Sequence, residues 1–393
     1  MSLKTKSLSL HEKLPGKIQI SSPINIRNHM DLSLAYSPYV SEACLQIVKN
    51  PDNVNKYTSK SHMIAVVSDG SAVLGLGNIG PLAALPVMEG KALLFKRFAN
   101  LDAIPICVNT QDPNEIIIFC EQLAPTFGGI NLEDIKAPEC VYIETELKKR
   151  LKIPVFHDDQ HGTAIVVLAA LINACRLLKK DIRQLKISLA GTGAAGSAIA
   201  KILCLYGVQN IYAYNANGIV HSHTKLSHDA LTQTLIEEGI FKDKGETFEN
   251  SLAYIIQDTD VFIGVSIGNI VTSEMIKSMQ ANPIVFALAN PIPEILPEQA
   301  KKSGAIVIAT GRSDYPNQVN NVLAFPGIFK GVLEVGATQI TDAMKVAAAE
   351  ALANIITDDD LNTEYIIPSV FDERVVKMVS DSIHTLLKNS SHK

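Results

Sequence analysis

Tryptophan is absent from this chain, and aromatic residues together make up only 6% of it. That absence bears on packing and says nothing about activity. Basic charge is also short: 35 Lys and Arg stand against 40 Asp and Glu, for a net charge of −5. Without a positive excess there is no electrostatic case for nucleic acid or an anionic membrane, and neither is expected as a partner. The six cysteines are Cys44, Cys107, Cys120, Cys140, Cys175 and Cys204; they contain no C-x-x-C pair and no zinc spacing with histidine. They read as apolar thiols in a reducing compartment. The N-terminal "MSLKTKSLSLHEKLPGKIQI" has no apolar stretch of signal-peptide length, and no run reaches the ~18 apolar residues of a membrane span. The tail "NSSHK" carries no retrieval signal. A cytoplasmic location is the default expectation, with an organelle left open.

What the chain does contain is 393 residues, 47% of them hydrophobic, room for two or three domains around a large core. "MIAVVSDG" reads as a buried strand ending in a turn. "KALLFKRFANLDAIPICVNT" and "PNEIIIFCEQLAPTFGGINLED" read as helix followed by strand. This βα alternation predicts a mostly parallel sheet. "TAIVVLAALINACRLLKKDI" predicts a long apolar helix joining two domains. "QLKISLAGTGAAGSAIAKILCLYGVQNIYAYNANG" is strand, Gly turn, helix and strand, and further strands follow at "DVFIGVS", "PIVFALAN" and "AIVIATG". The expected fold class is α/β in two domains: an α/β substrate and metal domain over residues 1–160 and a Rossmann-type dinucleotide-binding domain over 161–330. C-terminal helices over 331–393 pack back on the core.

Gly191, Gly193 and Gly196 form G-x-G-x-x-G directly after the strand "KISLA" and before a helix. Glycines there allow a tight turn, close approach of a pyrophosphate, and close helix–strand packing, while the helix N-terminus offers free N–H groups. Thr192, Ala194 and Ala195 complete the turn, and Ser266 follows a later strand. A second match, Gly75, Gly77 and Gly80 in "LGLGNIG", precedes "PLAALPVMEG", whose two prolines make a poor first turn for a phosphate-binding helix. It reads as a loop lining the substrate pocket. The second nucleotide-domain strand ends at Asn215, where an acid would bind the ribose 2′-OH of NAD. A neutral Asn, with His221, Ser222, His223 and Lys225 nearby, leans toward NADP; a plain turn-forming Asn leaves the choice with NAD open.

Two acidic pairs stand at expected strand ends: Glu133–Asp134 and Asp158–Asp159. One such pair alone is more often a solvated loop or helix cap. Converging from two loops, they suit a hard divalent cation, Mg²⁺ or Mn²⁺. His157 and His161 are secondary ligand candidates. Lys91 follows Gly90, at the expected start of an apolar helix. In a low-dielectric cleft near a cation its pKa would fall and it could act as a base held by Asp158. Tyr36 sits in a Pro-containing loop, "LAYSPYV"; its phenol is a candidate proton donor, although most such tyrosines only pack.

Taken together, "AYSPYV", "SDGSAVLGLGNIGPLAALPVMEGKALLFKRFANLDAIPI", "GGINLEDI", "VFHDDQHGTA", "GTGAAGSA", "DVFIGVS", "FALANPIPEI" and "NNVLAFPGIF" resemble the malic enzyme family, its shorter-chain, bacterial-type branch. The resemblance runs in order from about residue 11 to 350. It implies oxidative decarboxylation of L-malate to pyruvate and CO₂, with NADP or NAD and Mg²⁺ or Mn²⁺, and decarboxylation of oxaloacetate as well. On the family pattern Glu133, Asp134 and Asp159 hold the metal, Lys91 takes the hydroxyl proton, Asp158 pairs with Lys91, and Tyr36 protonates C3. Asn290 and Asn321 hydrogen-bond the substrate carboxylate; without the resemblance, Asn290 before Pro291 is an ordinary turn residue. The chain departs from the family pattern at Asn215 and at "SIGN", where a Pro-containing turn is expected. Malolactic chemistry, giving lactate with retained NAD, uses the same residues. A non-catalytic dinucleotide-sensing module would need a broken site, and the acids, lysine and tyrosine are all present. Apolar helices at both ends suggest a homodimer or homotetramer.

Overall fold

Short β-branched runs alternating with apolar helices assemble into two parallel sheets. The computed structural model describes residues 2–14, 16–73, 75–246 and 249–390; Leu74, the first residue of the second glycine motif, lies outside them. The first sheet comprises β1 (Met63–Ser68), β2 (Asp102–Cys107), β3 (Gly129–Leu132) and β4 (Val155–His157), in the order β2-β1-β3-β4 and all parallel. The second comprises β5 (Lys186–Ala190), β6 (Asn210–Asn215), β7 (Gly218–Val220), β8 (Val261–Gly264), β9 (Ile284–Ala287) and β10 (Val307–Thr310), in the order β10-β9-β8-β5-β6-β7. Only β7 runs antiparallel, paired to β6. Ile64, Ala65, Val66 and Val67 are all fully buried, so β1 is covered on both faces, as parallel sheets require. The mixed α/β class, with a Rossmann-type half, is the architecture expected from the βα alternation.

The helix Asp158–Leu178 joins the halves. It buries 14 of its 21 residues, and its apolar side chains enter the same core as residues of both sheets and of the C-terminal helices. At about 1.5–3 kcal/mol per buried Val, Leu or Ile, it is the principal apolar joint of the molecule. By length and composition this helix is able to cross a membrane, which corrects the expectation that no segment would qualify; here 67% of its apolar window is buried inside the protein. The helix Arg374–Ser390 packs against both Phe325–Glu334 and Asp342–Ala353, and Asp342–Ala353 packs on this joint.

Lys91 is not where it was expected, and the prolines do not prevent a helix after the second glycine loop. The second glycine motif does run into a helix, Gly80–Leu94, with Pro81 in its first turn. Proline is suited there because the first-turn N–H has no helical partner. Gly70 makes room for this start: a Cβ on it would lie 2.3 Å from the Gly80 carbonyl oxygen. Lys91 therefore stands in the last turn of that helix, not its first. The N-terminal helices Leu3–Lys13, His29–Ala35, Val40–Lys49 and Val54–Tyr57 bury no residue.

Candidate active site

Strands β3 and β4 are parallel neighbours with Leu132 opposite His157. The residues that follow, Glu133–Asp134 and Asp158–Asp159, leave the same sheet edge side by side. Asp134 adopts a left-handed φ of 53°, and its N–H donates to Asp159 Oδ2 at 2.9 Å. One carboxylate oxygen each from Glu133, Asp134 and Asp159 lies within 4.8 Å of the others. Lys91 Nζ donates to Asp158 Oδ2 at 2.6 Å and approaches Glu133 Oε1 at 2.8 Å. The same amine lies 4.3 Å from the ring centre of Phe325. Asp158 and Asp159 also open the helix Asp158–Leu178, where carboxylates complement the positive end of the helix dipole.

Asp158, which is fully buried, and Glu133 thus pair with one ammonium, and Asp134 and Asp159 cluster with Glu133. Burial, together with the neighbouring Asp159 charge, raises Glu133 above the ordinary carboxylate range, and burial raises Asp159 as well. This surplus of negative charge, on hard oxygen donors gathered at one point, fits a divalent cation such as Mg²⁺ or Mn²⁺. The lowering expected for Lys91 presumes a cation; the protein groups alone act in the other direction. Burial favours the lowering, but Asp158 and then Glu133 outweigh it and hold the amine above its usual range. Neither histidine belongs to the three-carboxylate cluster. His161 Nε2 is 2.7 Å from Glu144, and burial pushes His157 and His161 each down to about 4, keeping the rings neutral.

The glycine turn meets the steric demands of a phosphate cradle. Gly191 has φ 101°, and a Cβ there would lie 2.7 Å from the Val265 carbonyl oxygen; a Cβ on Gly196 would lie 1.9 Å from the Gly191 oxygen. Gly193 faces open space and caps the helix Ala194–Leu205 with free N–H groups. Thr192 is buried: its Oγ1 is 2.9 Å from that of Thr232 and accepts from Asn215 Nδ2 at 2.8 Å. Ala194 packs against the apolar cluster of the first sheet, so the nucleotide turn adjoins the acidic half. Ala195 follows it in the helix, and Ser266 leaves the end of β8.

The groups expected to receive a 2′-phosphate are largely engaged elsewhere. Asn215 Oδ1 accepts from the Asn217 N–H at 2.9 Å. His221 Nε2 is 2.9 Å from the Gly245 oxygen, Ser222 Oγ donates to Asp243 at 2.5 Å, and Lys225 pairs with Glu237. His223 packs its ring 4.9 Å from that of His221. Sequence proximity showed which polar groups were near; it did not show that they had partners.

Asn321 is brought to the acids: a Cβ on Gly162 would lie 1.9 Å from Asp158 Oδ1 and 2.9 Å from Asn321 Cβ. Asn290, half-buried after β9, lies against Gly311, and the Gly75 turn reaches Pro291 and the Asn290 carbonyl. Tyr36 is not gathered in. It caps the C-terminus of the helix His29–Ala35 at the start of the loop that contains Pro38, as expected, but is 69% exposed. The residues missed from sequence are Gly162, which makes room for the Asp158 carboxylate, and Asn131, whose Nδ2 donates to Glu133 Oε2 at 2.8 Å. The G in "DDQHG" is a usable signal for the first; nothing local flags the second.

The family model described as "Malic enzyme, N-terminal domain" matches residues 15–148, and that described as "Malic enzyme, NAD binding domain" matches 160–385. The chain is 51% identical to the bifunctional malic/malolactic enzyme of Bacillus subtilis over 383 residues, covering 98% of this chain and 92% of that one. It is 50% identical to the NAD-dependent malic enzyme of Geobacillus stearothermophilus, covering 94% and 76%. It is 45% identical to the NADP-dependent malic enzyme of Escherichia coli, of which it spans about half, 52%. Among solved structures, the malic enzyme of Pyrococcus horikoshii superposes with a TM-score of 0.93 at 45% identity, covering 99% of this chain and 92% of that one. The NAD-dependent malic enzyme of Thermotoga maritima gives 0.91 at 46%, covering 96% and 98%.

Proposed function

Since the chain belongs to the malic enzyme family, we propose that it oxidatively decarboxylates L-malate to pyruvate and CO₂ with a nicotinamide nucleotide and Mg²⁺ or Mn²⁺. The observation that carries this reading is the Lys91–Asp158–Glu133 contact at the edge of the three-carboxylate cluster. When bound, the cation polarises the substrate's oxygens and the nicotinamide accepts hydride. Glu133, Asp134 and Asp159 hold the cation. Lys91 takes the malate hydroxyl proton, and Asp158 orients its amine. Charge neutralised at Glu133 and Asp159 weakens the hold of these carboxylates on the ammonium and eases loss of its proton. Asn290 and Asn321 donate to the substrate carboxylate. Protonation of C3 by Tyr36 rests on the family resemblance alone. The same chemistry, entered one step later, decarboxylates oxaloacetate.

For the nucleotide, the neutral Asn215 supports use of NADP as well as NAD, because no carboxylate stands at the end of β6 to repel a 2′-phosphate. With Ser222 and Lys225 already partnered, the preference for NADP is shallow, roughly tenfold, or about 1.4 kcal/mol. Initial rates with malate, comparing NAD and NADP with and without Mn²⁺, test the whole reading; no malate-dependent reduced nucleotide with either one sinks it. The 51% identical bifunctional relative favours a second reading, malolactic turnover. Lactate formed from malate without net reduced nucleotide identifies that route. Exposed apolar residues along the N-terminal helices, among them Leu8, Leu34 and Val48, support a homodimer or homotetramer. A sedimentation mass equal to one chain at micromolar concentration contradicts it.

A further inference from the structure

Glu294 follows the "ANPIP" stretch and is fully buried. Its Oε1 accepts from the Ser266 N–H at 2.9 Å and from Ser266 Oγ at 3.3 Å; its Oε2 accepts from the Ala289 N–H at 3.1 Å. No lysine, arginine or histidine among the described residues forms an ion pair with it. β8 and β9 are parallel neighbours with Gly264 opposite Ala287, so the two loops Glu294 grips leave the same sheet edge. One loop begins with Ser266. The other carries Asn290. Ser266 also lies against the phosphate turn, since a Cβ on Gly191 would come 3.3 Å from Ser266 Cβ.

The backbone repeats this clamp. The Asn269 N–H donates to the Pro293 oxygen and the Val271 N–H to the Glu294 oxygen, both at 3.0 Å. Asn269 takes a left-handed φ of 62° in the segment where a proline-containing turn was expected after the serine. Gly264 is part of the same device: a Cβ there would sit 2.4 Å from Glu294 Cδ, so the carboxylate lies directly over a residue without a side chain. Burying an anion without a counter-ion is a costly way to close a loop, and an apolar residue would fill the space more cheaply. A carboxylate, however, offers two oxygens at fixed spacing, and each oxygen here meets a backbone N–H from a different loop.

We propose that Glu294 is a positioning residue: it locks the Ser266 loop and the Asn290 loop into one platform, setting the nicotinamide nucleotide and the substrate carboxylate relative to each other. The inference rests on the malic enzyme reading of this cleft for the identity of the two ligands. Glu294 itself touches neither. Glutamine keeps its size but presents an NH₂ to one of the two backbone donors, so Glu294→Gln releases one loop.

The test is made on the full-length protein. Nucleotide affinity is measured by calorimetry with NAD and NADP in the absence of malate, and Mn²⁺ affinity in the absence of nucleotide. In Glu294→Gln the nucleotide Kd and the KM for malate each rise about tenfold, as expected for one lost hydrogen bond to a charged group. Mn²⁺ binding, on the first sheet, stays within twofold of wild type. Gly264→Ala displaces the carboxylate without removing it and gives the same pattern. Unchanged nucleotide Kd and malate KM overturn the proposal. So does an equal loss of Mn²⁺ and nucleotide binding, or failure of both variants to fold, since either marks a general packing role. A wild-type protein that binds nucleotide but reduces none with malate sinks the functional reading and leaves the nucleotide-binding comparison standing.

Discussion

On the first-sheet side, Glu133 and Asp158 pair with Lys91, and Asp134 and Asp159 add their carboxylates beside Glu133. On the second-sheet side, Gly191, Gly193 and Gly196 present bare backbone. The first wall works by what its residues carry; the second works by what its residues omit. A charged wall accumulates repulsion that a cation relieves. A backbone wall has no charge to relieve, and offers N–H groups and a helix dipole to phosphates. Substitutions on the first side should therefore alter chemistry and metal binding while sparing nucleotide affinity. Substitutions on the second side should do the reverse.

The largest effect tests the charged wall. Lys91→Ala should reduce kcat by at least roughly 10³-fold, in the range for loss of a general base. Its nucleotide Kd by calorimetry should remain within twofold of wild type. Wild-type turnover at neutral pH would remove Lys91 from its role, and a large loss of nucleotide affinity would break the division between the walls. Next comes Asp159→Asn, which removes one anionic ligand. Mn²⁺ should bind on the order of 100-fold more weakly, with activity partly recovered at high Mn²⁺. Unchanged Mn²⁺ affinity would contradict the ligand assignment. The smallest effect belongs to the backbone wall. A Cβ at Gly193 meets no protein atom within 4 Å, so Gly193→Ala should leave Tm unchanged. Nucleotide affinity should still weaken roughly fivefold, because the methyl group occupies space needed by the pyrophosphate. A drop in Tm with unaltered nucleotide affinity would show that this glycine serves packing instead.

Much of the second wall was legible in the residues. A strand, a glycine turn and an apolar helix follow one another within "KISLAGTGAAGSAIAKIL", and each glycine's role is local. The acids were legible as residue types at strand ends, but their convergence was not, since it depends on β3 and β4 being neighbours. Lys91 was misplaced along its helix because Pro81, Pro86 and Gly90 look like breakers; Pro81 falls in the first turn, where proline is tolerated. The carboxylates that hold the Lys91 proton in the absence of a cation were hidden for a related reason. Burial is visible in an apolar sequence context, whereas a second carboxylate, Glu133 at 2.8 Å, is a tertiary contact. Glu294 and Gly162 escaped notice because each acts on groups whose identity only the fold reveals.

By itself, the order of motifs determined the family, the α/β class and the chemical type of the clustered carboxylates, because backbone preference and ligand hardness are properties of short segments. The tertiary structure alone decided which carboxylates share a centre, which amine they hold, and which polar groups near Asn215 are already partnered. Electrostatic and hydrogen-bond energies depend on separations of a few ångströms, and residues distant in the chain acquire those separations only when strands pair.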